Sequence, residues 1–407
     1  MTVRIRIGSD LSEPFEVSRG VKQGCVLAPV LFNIYVQCIT RLLALTLDKS
    51  CQIRLNYRFD RNIFDHKKLK AKTKTSQKEL LELQYADDCA LVADSLESLQ
   101  LVLSHTSAFY QKLGMSINVS KTEFLEYLPT TPLIPSELQI GGSQLKKVDT
   151  FKYLGSHISA NGHIDDEINF RIQQANRAYG RLSKRVFHNR NITLSTKVLV
   201  YNAVVLSSLL YSSETWTLYC HHMKALEAFH MSSLRKLLNK TWKDKVPNTE
   251  VLRRTKSVSV ENIIFRSHLR WVGHLIRMDD NRMPKQLLYG ELSLGRRSVG
   301  RQLKRYRDQS LSVLKACDIN PKDLEKLAKD REKWREACRK GLKTCEKNRL
   351  KWLDVQREKR RARPSPVGTP KHVCDECGRG CYSPAGLASH SRTHLGKTTT
   401  SKATNIK

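Results

Sequence analysis

Two groups of residues in this 407-residue chain have the types and spacing to do chemistry. The first is Tyr85-Ala86-Asp87-Asp88, with Leu83 before it and Cys89-Ala90-Leu91-Val92-Ala93 after it. Adjacent carboxylates between apolar strand segments are costly unless they sit at a turn or meet a counter-charge. A divalent cation supplies that charge, and Mg²⁺ is held by one or two carboxylates plus substrate phosphates. The pair therefore suits metal-dependent phosphoryl transfer, in which ions clamp the attacking and leaving oxygens. Taken alone, the tetrapeptide also fits a polar β-turn. The second group is Cys374-x2-Cys377-x12-His390-x3-His394. Two thiolates on a knuckle and two imidazoles on one helical turn can close a tetrahedron around Zn²⁺, and the metal energy folds the unit.

The elements that must position these groups are visible around them. Val3, Ile5 and Ile7 alternate and Phe15 and Val17 follow, which predicts a short hairpin. Pro29 opens a helix in which Leu31, Ile34, Tyr35, Cys38, Ile39 and Leu42 keep helical spacing. Residues 51–78 are polar and basic and read as a hairpin. After the carboxylates, Asp94 or Ser95 can cap a helix that carries Leu99, Val102, Leu103, Thr106 and Tyr110 and stops at Gly114. Ile117 to Tyr127 reads as a strand, and Phe151-Lys152-Tyr153-Leu154-Gly155 ends a strand or opens a hairpin. Residues 163–290 look mostly helical, as does the Lys- and Arg-rich stretch from Pro321 to Arg363. In the Cys/His unit, Ser383 fits the helix cap, Pro384 its first position and Leu387 the small core. Cys381 stands there as a core filler in place of an aromatic residue. Positions −1, 3 and 6 of that helix are Ser383, Gly386 and Ser389, too short for bidentate base contacts.

Charge narrows the function classes. The chain carries 71 Lys and Arg against 39 Asp and Glu, a formal +32. Residues 1–155 hold 20 basic and 16 acidic side chains, so about seven-eighths of the excess lies beyond them. An excess of this size points to a polyanion, nucleic acid or an acidic membrane surface. On the basic stretch, Arg296-Arg297, Lys304-Arg305 and Lys359-Arg360-Arg361-Ala362-Arg363 exceed the acids around them, with Trp334 and Trp352 interspersed. Phosphate neutralisation fits that pattern better than a solvated helix face, and the last run also fits a nuclear import signal. Eleven scattered cysteines suit a reducing compartment. No signal segment opens the chain, and the most apolar stretch, Val198 to Tyr211, is too short to span a bilayer. The expectation is a soluble protein with no membrane partner.

The order and spacing of four segments carry a resemblance. They are Gly20-Val21-Lys22-Gln23-Gly24 through Asn33, Tyr85-Ala86-Asp87-Asp88, Gly114 through Lys121-Thr122-Glu123, and Phe151-Lys152-Tyr153-Leu154-Gly155. They resemble motifs B, C, D and E of reverse transcriptases, most closely those of non-LTR retrotransposons (long interspersed elements). Arg270-Trp271-Val272-Gly273-His274 resembles the region after the thumb in the same elements. The resemblance implies an RNA-directed DNA polymerase working on RNA and DNA. In it Asp87 and Asp88 hold Mg²⁺, and Lys121 serves near the nucleotide phosphates as a proton donor. Gln23, Gly24 and Tyr85 contact template or nucleotide, and Tyr153, Leu154 and Gly155 grip the primer end. Zinc falls to Cys374, Cys377, His390 and His394.

One feature departs from the pattern. Motif A, which carries a further essential aspartate on a strand before motif B, has no counterpart: Asp10, Glu13 and Glu16 do not follow an apolar strand. The fingers and any endonuclease are also missing. The expectation is therefore a polypeptide inactive by itself unless a partner chain supplies the missing palm strand. The alternative is a non-catalytic nucleic-acid-binding zinc-finger protein derived from such an element. The fold class expected is α+β: a partial right-hand-polymerase palm, a helical thumb, a basic helical arm and a small ββα zinc finger. The expected boundaries are 1–127 for the palm, 128–160 for the primer-grip region, 161–295 for the thumb and connection, and 296–363 for the arm. A Pro-rich linker at 364–371, the finger at 372–395 and a disordered tail at 396–407 complete the chain. Location is expected to be nuclear, cytoplasmic or both.

Overall fold

The structure is a computed structural model that describes residues 2–17, 20, 24–65, 67–127, 137–294, 303–362 and 370–395. Gln23, the arginines at 296, 297 and 363, most of the Pro-rich linker and the tail lie outside the described residues. At the N-terminus two ribbons nest: β1 (Thr2–Val3) pairs with β4 (Phe15–Glu16), and β2 (Arg6–Ile7) with β3 (Asp10–Leu11) inside it. Helix α1 (Ala28–Thr46) follows, with proline in its first turn. Strands β5 (Ile53–Tyr57) and β6 (Ser76–Leu80) form the antiparallel pair expected of the basic stretch. Next come β7 (Glu82–Tyr85), β8 (Asp88–Leu91) and α2 (Leu96–Lys112). Ser95 caps α2 by accepting from the Ser98 amide, and Gly114, at φ +75°, takes the left-handed conformation that stops it.

Helices α1 and α2 meet over Ile39, Leu43, Leu47, Cys51, Leu81 and Val102, and this cluster backs the carboxylate hairpin. By length and composition α1 is apolar enough to cross a membrane, at a mean hydropathy of 1.5. The sequence reading had placed the most apolar stretch further on, at 198–211. Val36, Ile39 and Leu43 are buried, whereas Val30, Leu31 and Ile34 stay exposed.

The strand expected from Ile117 to Tyr127 does not form as such. The Asn118 side chain accepts the Lys121 amide and winds Val119–Lys121 into a 3₁₀ turn. Asparagine competes with the ladder through this local bond. Only β9 (Glu123–Phe124) is extended. After β10 (Gln139–Ile140) and β11 (Ser143–Gln144), β12 (Lys146–Lys147) pairs parallel with β9. The hairpin of β13 (Thr150–Tyr153) and β14 (Ser156–Ser159) then closes in the register Tyr153↔Ser156.

Beyond it the chain is helical. Helices α3 (Asp165–Leu182), α4 (Leu194–Val200), α5 (Ser207–Leu209), α6 (Cys220–Leu237), α7 (Asn248–Thr255) and α8 (Val260–Arg277) come first. Tyr201–Leu206 joins α4 to α5 as a π-helical turn. This group surrounds a core that includes Ile168, Tyr179, Phe187, Tyr201, Leu226 and Leu234. Helix α9 (Met283–Tyr289) and β15 (Gly290–Leu292) lead back to the N-terminal strands, where β15 pairs antiparallel with β5.

Helices α10 (Tyr306–Ala316), α11 (Leu324–Lys329) and the long α12 (Arg331–Arg361) follow. The stretch expected to be a basic arm is not free over its first part. Val313, Leu314, Leu324 and Trp334 join Leu269, Val272 and Ile276 in a second core. Trp334, which the sequence sets among lysines and arginines, is 3% exposed and donates its indole N–H to the Leu269 carbonyl at 3.1 Å. Its ring fills the space left by Gly273, where a Cβ would lie 2.1 Å from the indole nitrogen. Trp352, by contrast, is 60% exposed.

Two compact units result, Met1–Glu346 and Lys347–Lys407. The second holds the end of α12 and a small ββα unit. In that unit β16 (His372–Val373) pairs with β17 (Gly380–Cys381), followed by α13 (Pro384–Leu395). The overall class is mixed helix and strand, as expected.

Candidate active site and metal centres

Strands β7 and β8 pair in the register Tyr85↔Asp88, which leaves Ala86 and Asp87 as the two turn residues. Ala86 has φ +54°, the sign a two-residue hairpin turn needs to match strand twist. The turn lifts Asp87 and Asp88 into solvent, side by side. Among the described residues neither carboxylate has a cationic partner within an ion pair, so the negative charge is open to a cation. The hairpin pairs with no other described strand.

Alternation gives its faces different chemistry. Leu83 and Tyr85 are exposed. Glu82 points to α1, where the Thr40 hydroxyl donates to it at 2.5 Å, and the Cys89 thiol donates to its other oxygen at 3.8 Å. Burial first, then the Glu82 charge, pushes the Cys89 thiol up to about 12. Tyr110 is also raised to about 12, chiefly by burial. A cavity of about 220 Å³ opens between Asn33, Gln37 and Thr40 of α1 and Glu82, Gln84 and Ala86 of the hairpin. Glu82 and its partners escaped the sequence reading. The one signal was a carboxylate two residues before Gln84 in an alternating strand.

The Tyr153 hydroxyl donates to the Leu83 carbonyl at 2.9 Å, so the structure brings Tyr153, Leu154 and Gly155 to the carboxylate hairpin. Burial is the largest cause raising the Tyr153 phenol, ahead of the charges of Cys89 and Asp88. It therefore keeps its proton for this bond. Leu154 and Gly155 are the turn residues of the second hairpin, at φ +48° and +84°. Gly24 is also left-handed, at φ +88°, with open space where a Cβ would stand. Lys121 ends its 3₁₀ turn exposed. Among the described residues no hydrogen bond or ion pair ties its ammonium to Asp87 or Asp88.

In the small unit Cys374, Cys377, His390 and His394 converge. Cys377 Sγ lies 3.0 Å from His390 Nε2, Cys374 Sγ 3.5 Å from His394 Nε2, and the two Nε2 atoms are 3.1 Å apart. These spacings suit four ligands of one tetrahedral ion. Glu376 Oε2 lies 3.4 Å from His394 Nδ1, the far side of a ligand imidazole. Cys381 is buried beside the set and outside it. The Ser383 hydroxyl accepts the Gly386 amide at 3.1 Å, so it caps α13.

A second Asp/His group was not foreseen. Asp165 Oδ1 lies 3.0 Å from Nε2 of both His221 and His222. His222 Nδ1 accepts the Tyr219 amide at 3.2 Å, so its Nε2 keeps the proton and donates to Asp165. The group is a hydrogen-bonded junction of α3 with α6. These bonds, first from His222 and then from His221, hold the Asp165 carboxyl below its usual range, while burial lowers His222.

Residues 2–158 match the family described as reverse transcriptase (RNA-dependent DNA polymerase). The chain is 26% identical over 280 residues to an uncharacterised transposon-derived protein of Caenorhabditis elegans, covering 65% of this chain and 97% of that one. It is 26% identical over 195 residues to the Pol polyprotein of the type-2 retrotransposable element R2DM of Drosophila melanogaster, covering 45% of this chain and 16% of the polyprotein. To the RNA-directed DNA polymerase of the mobile element jockey of Drosophila funebris it is 24% identical over 312 residues, covering 72% and 30%. The chain thus spans nearly the whole nematode relative and under a third of either element's protein.

Proposed function

We propose that this chain, which carries a reverse transcriptase domain in residues 2–158 and resembles the reverse transcriptases of non-LTR retrotransposons, uses the Asp87–Asp88 turn to hold Mg²⁺ beside a nucleic-acid end. The observation that carries the reading is the Tyr153–Leu83 hydrogen bond at 2.9 Å, which joins the two hairpins. Mg²⁺ bound there supplies charge for nucleotide phosphates and the attacking hydroxyl. The chain's own residues do the rest. Asp87 and Asp88 offer unpaired oxygens at a turn braced by Thr40 and Glu82. Tyr153, Leu154 and Gly155 hold the primer end, and Gly24 contacts template and nucleotide. Once a third carboxylate completes the site, Lys121 would donate a proton to the leaving group from its exposed turn.

Two carboxylates leave that metal site short. The groups of three or more metal-ligating side chains among the described residues include neither Asp87 nor Asp88. A strand bearing a third carboxylate can pair with the open edge of the β7–β8 hairpin. A partner chain, or further residues of a longer protein, can provide it. The 407-residue polypeptide by itself therefore binds nucleic acid without copying it. Its excess positive charge supports that activity, because α12 carries 13 Lys and Arg against 5 Asp and Glu. Zn²⁺ at Cys374, Cys377, His390 and His394 folds the terminal unit into a finger with little base preference, since its Ser383 is spent as a cap. The basic run at the end of α12 directs the chain to the nucleus.

Filter binding to an RNA–DNA duplex across a salt series tests this alongside primer extension with Mg²⁺ or Mn²⁺. Neutralising about six phosphates predicts a fall of roughly 10³-fold in affinity between ~50 and ~200 mM salt. That slope should survive Asp87→Ala/Asp88→Ala. A flat salt dependence refutes the binding role, and Asp88-dependent synthesis by the isolated polypeptide refutes the inactivity.

A further inference from the structure

The turn that carries Leu154 and Gly155 is held from the helical side more firmly than strand pairing requires. Glu167 and Arg171 lie one turn apart on α3, with side chains 3% and 8% exposed, and pair at 2.7 Å. A buried ion pair is stable only when further hydrogen bonds satisfy its remaining donors and acceptors. Here those bonds go to the turn. Arg171 Nη2 donates to the Gly155 carbonyl. Glu167 Oε2 accepts the His157 amide at 2.8 Å. The Arg171 guanidinium also stacks 4.5 Å from the Tyr211 ring centre, and the Tyr211 hydroxyl donates to the Leu154 carbonyl at 3.0 Å. Two carbonyls of the turn and one amide of β14 are thus fixed by side chains from outside the hairpin.

We infer that Glu167, Arg171 and Tyr211 are positioning residues that set where the 153–155 turn holds a nucleic-acid 3′ end above the carboxylate hairpin. The inference rests on the proposed primer-holding role of that turn. Leu154, at φ +48°, occupies a conformation that L side chains resist. Without the clamp the turn can relax, and Tyr153, whose hydroxyl bridges to Leu83, moves with it. None of the three needs to touch the nucleic acid. Their effect should appear in how the chain treats an end, and duplex grip elsewhere should be unaffected.

The test uses the full chain and two RNA–DNA duplexes of equal length and charge. One has a recessed 3′ hydroxyl end, and the other is closed by loops at both ends. The wild type should favour the recessed end. Tyr211→Phe removes one hydroxyl and should cut that preference by about fivefold, the worth of one net hydrogen bond. Arg171→Gln should abolish it, and Arg171→Lys, which keeps the charge but not the fork, should restore only part. Affinity for the closed duplex should stay within twofold in all three. A photoreactive 3′-terminal nucleotide should also crosslink less to residues 153–155 in the Arg171 and Tyr211 variants. Should Arg171→Gln fail to fold, Tyr211→Phe decides the matter. A wild type with no end preference refutes the role of the turn itself. An end preference that survives Tyr211→Phe with an unchanged crosslink leaves that role standing and refutes the clamp.

Discussion

Replacing Gly273 by alanine tests whether Trp334 belongs to the core or to a nucleic-acid surface. The added Cβ would lie 2.1 Å from the indole nitrogen and 2.5 Å from Cδ1 of Trp334. The indole must move, and its bond to the Leu269 carbonyl at 3.1 Å is lost with it. Leaving that buried N–H unpaired costs about 1–3 kcal/mol, and overpacking adds about 1–3 kcal/mol. Alanine returns roughly 1 kcal/mol in helix propensity over glycine. The net expectation is a loss of about 3 kcal/mol. Gly180 on α3 supplies the control, because a Cβ there meets nothing within 4 Å. Gly180→Ala should therefore stabilise by up to about 1 kcal/mol. Urea unfolding followed by circular dichroism reads both, and the two midpoints should move in opposite directions. A Gly273→Ala midpoint at or above wild type would show that α8 and α12 do not pack as described, and would leave Trp334 free to meet nucleic acid.

Further outcomes follow from the buried His268 and from the Cys/His cluster. Burial lowers His268 to about 4 from 6.5, and its Nε2 lies 2.9 Å from the Ser310 hydroxyl. The unfolded chain therefore binds this proton first. Stability should fall as pH drops from about 6.5 to 4, by about 3 kcal/mol at the limit, and His268→Gln should flatten that slope in urea midpoints against pH. In the terminal unit, Co²⁺ titration should give thiolate-to-metal absorption that Cys377→Ser removes. Glu376→Gln should weaken the metal about tenfold through His394; an unchanged affinity would place Glu376 outside the site.

Much of this was legible in the residues, and the exceptions have physical causes. Helix α2 was readable because its cap, its apolar spacing and its terminal glycine are all local. The first hairpin was readable as a turn at the adjacent carboxylates, although the turn falls on Ala86 and Asp87, and Phe151 to Gly155 was readable as a strand end or a hairpin. The depth of Trp334 was not legible because the cavity that takes it belongs to Gly273 on another helix, and a tryptophan among lysines looks the same on a surface. The strand expected through Asn118 failed because its side chain offers the backbone a nearer partner than a neighbouring strand. The clamp on Leu154 was invisible for a related reason: Arg171 and Glu167 read as one more charged pair at i,i+4 until their second partners are seen.

The candidate site is in effect two strained turns tied together. Ala86 and Leu154 each take a left-handed conformation where glycine or asparagine is the usual choice. A β-carbon at such a position limits the alternatives open to the loop, so the turn is rigid once something holds it. Each is held from a different side: the β7 strand by Thr40 through Glu82, and Leu154 by Tyr211 with Arg171 on the next residue. The Tyr153–Leu83 bond spans the gap between the hairpins. A shift in α1 therefore reaches β7 through Glu82, and a shift in α3 reaches it through Tyr153. The spacing of the two hairpins is then set jointly by the two helices, which is how a candidate site with so few groups of its own can keep its geometry.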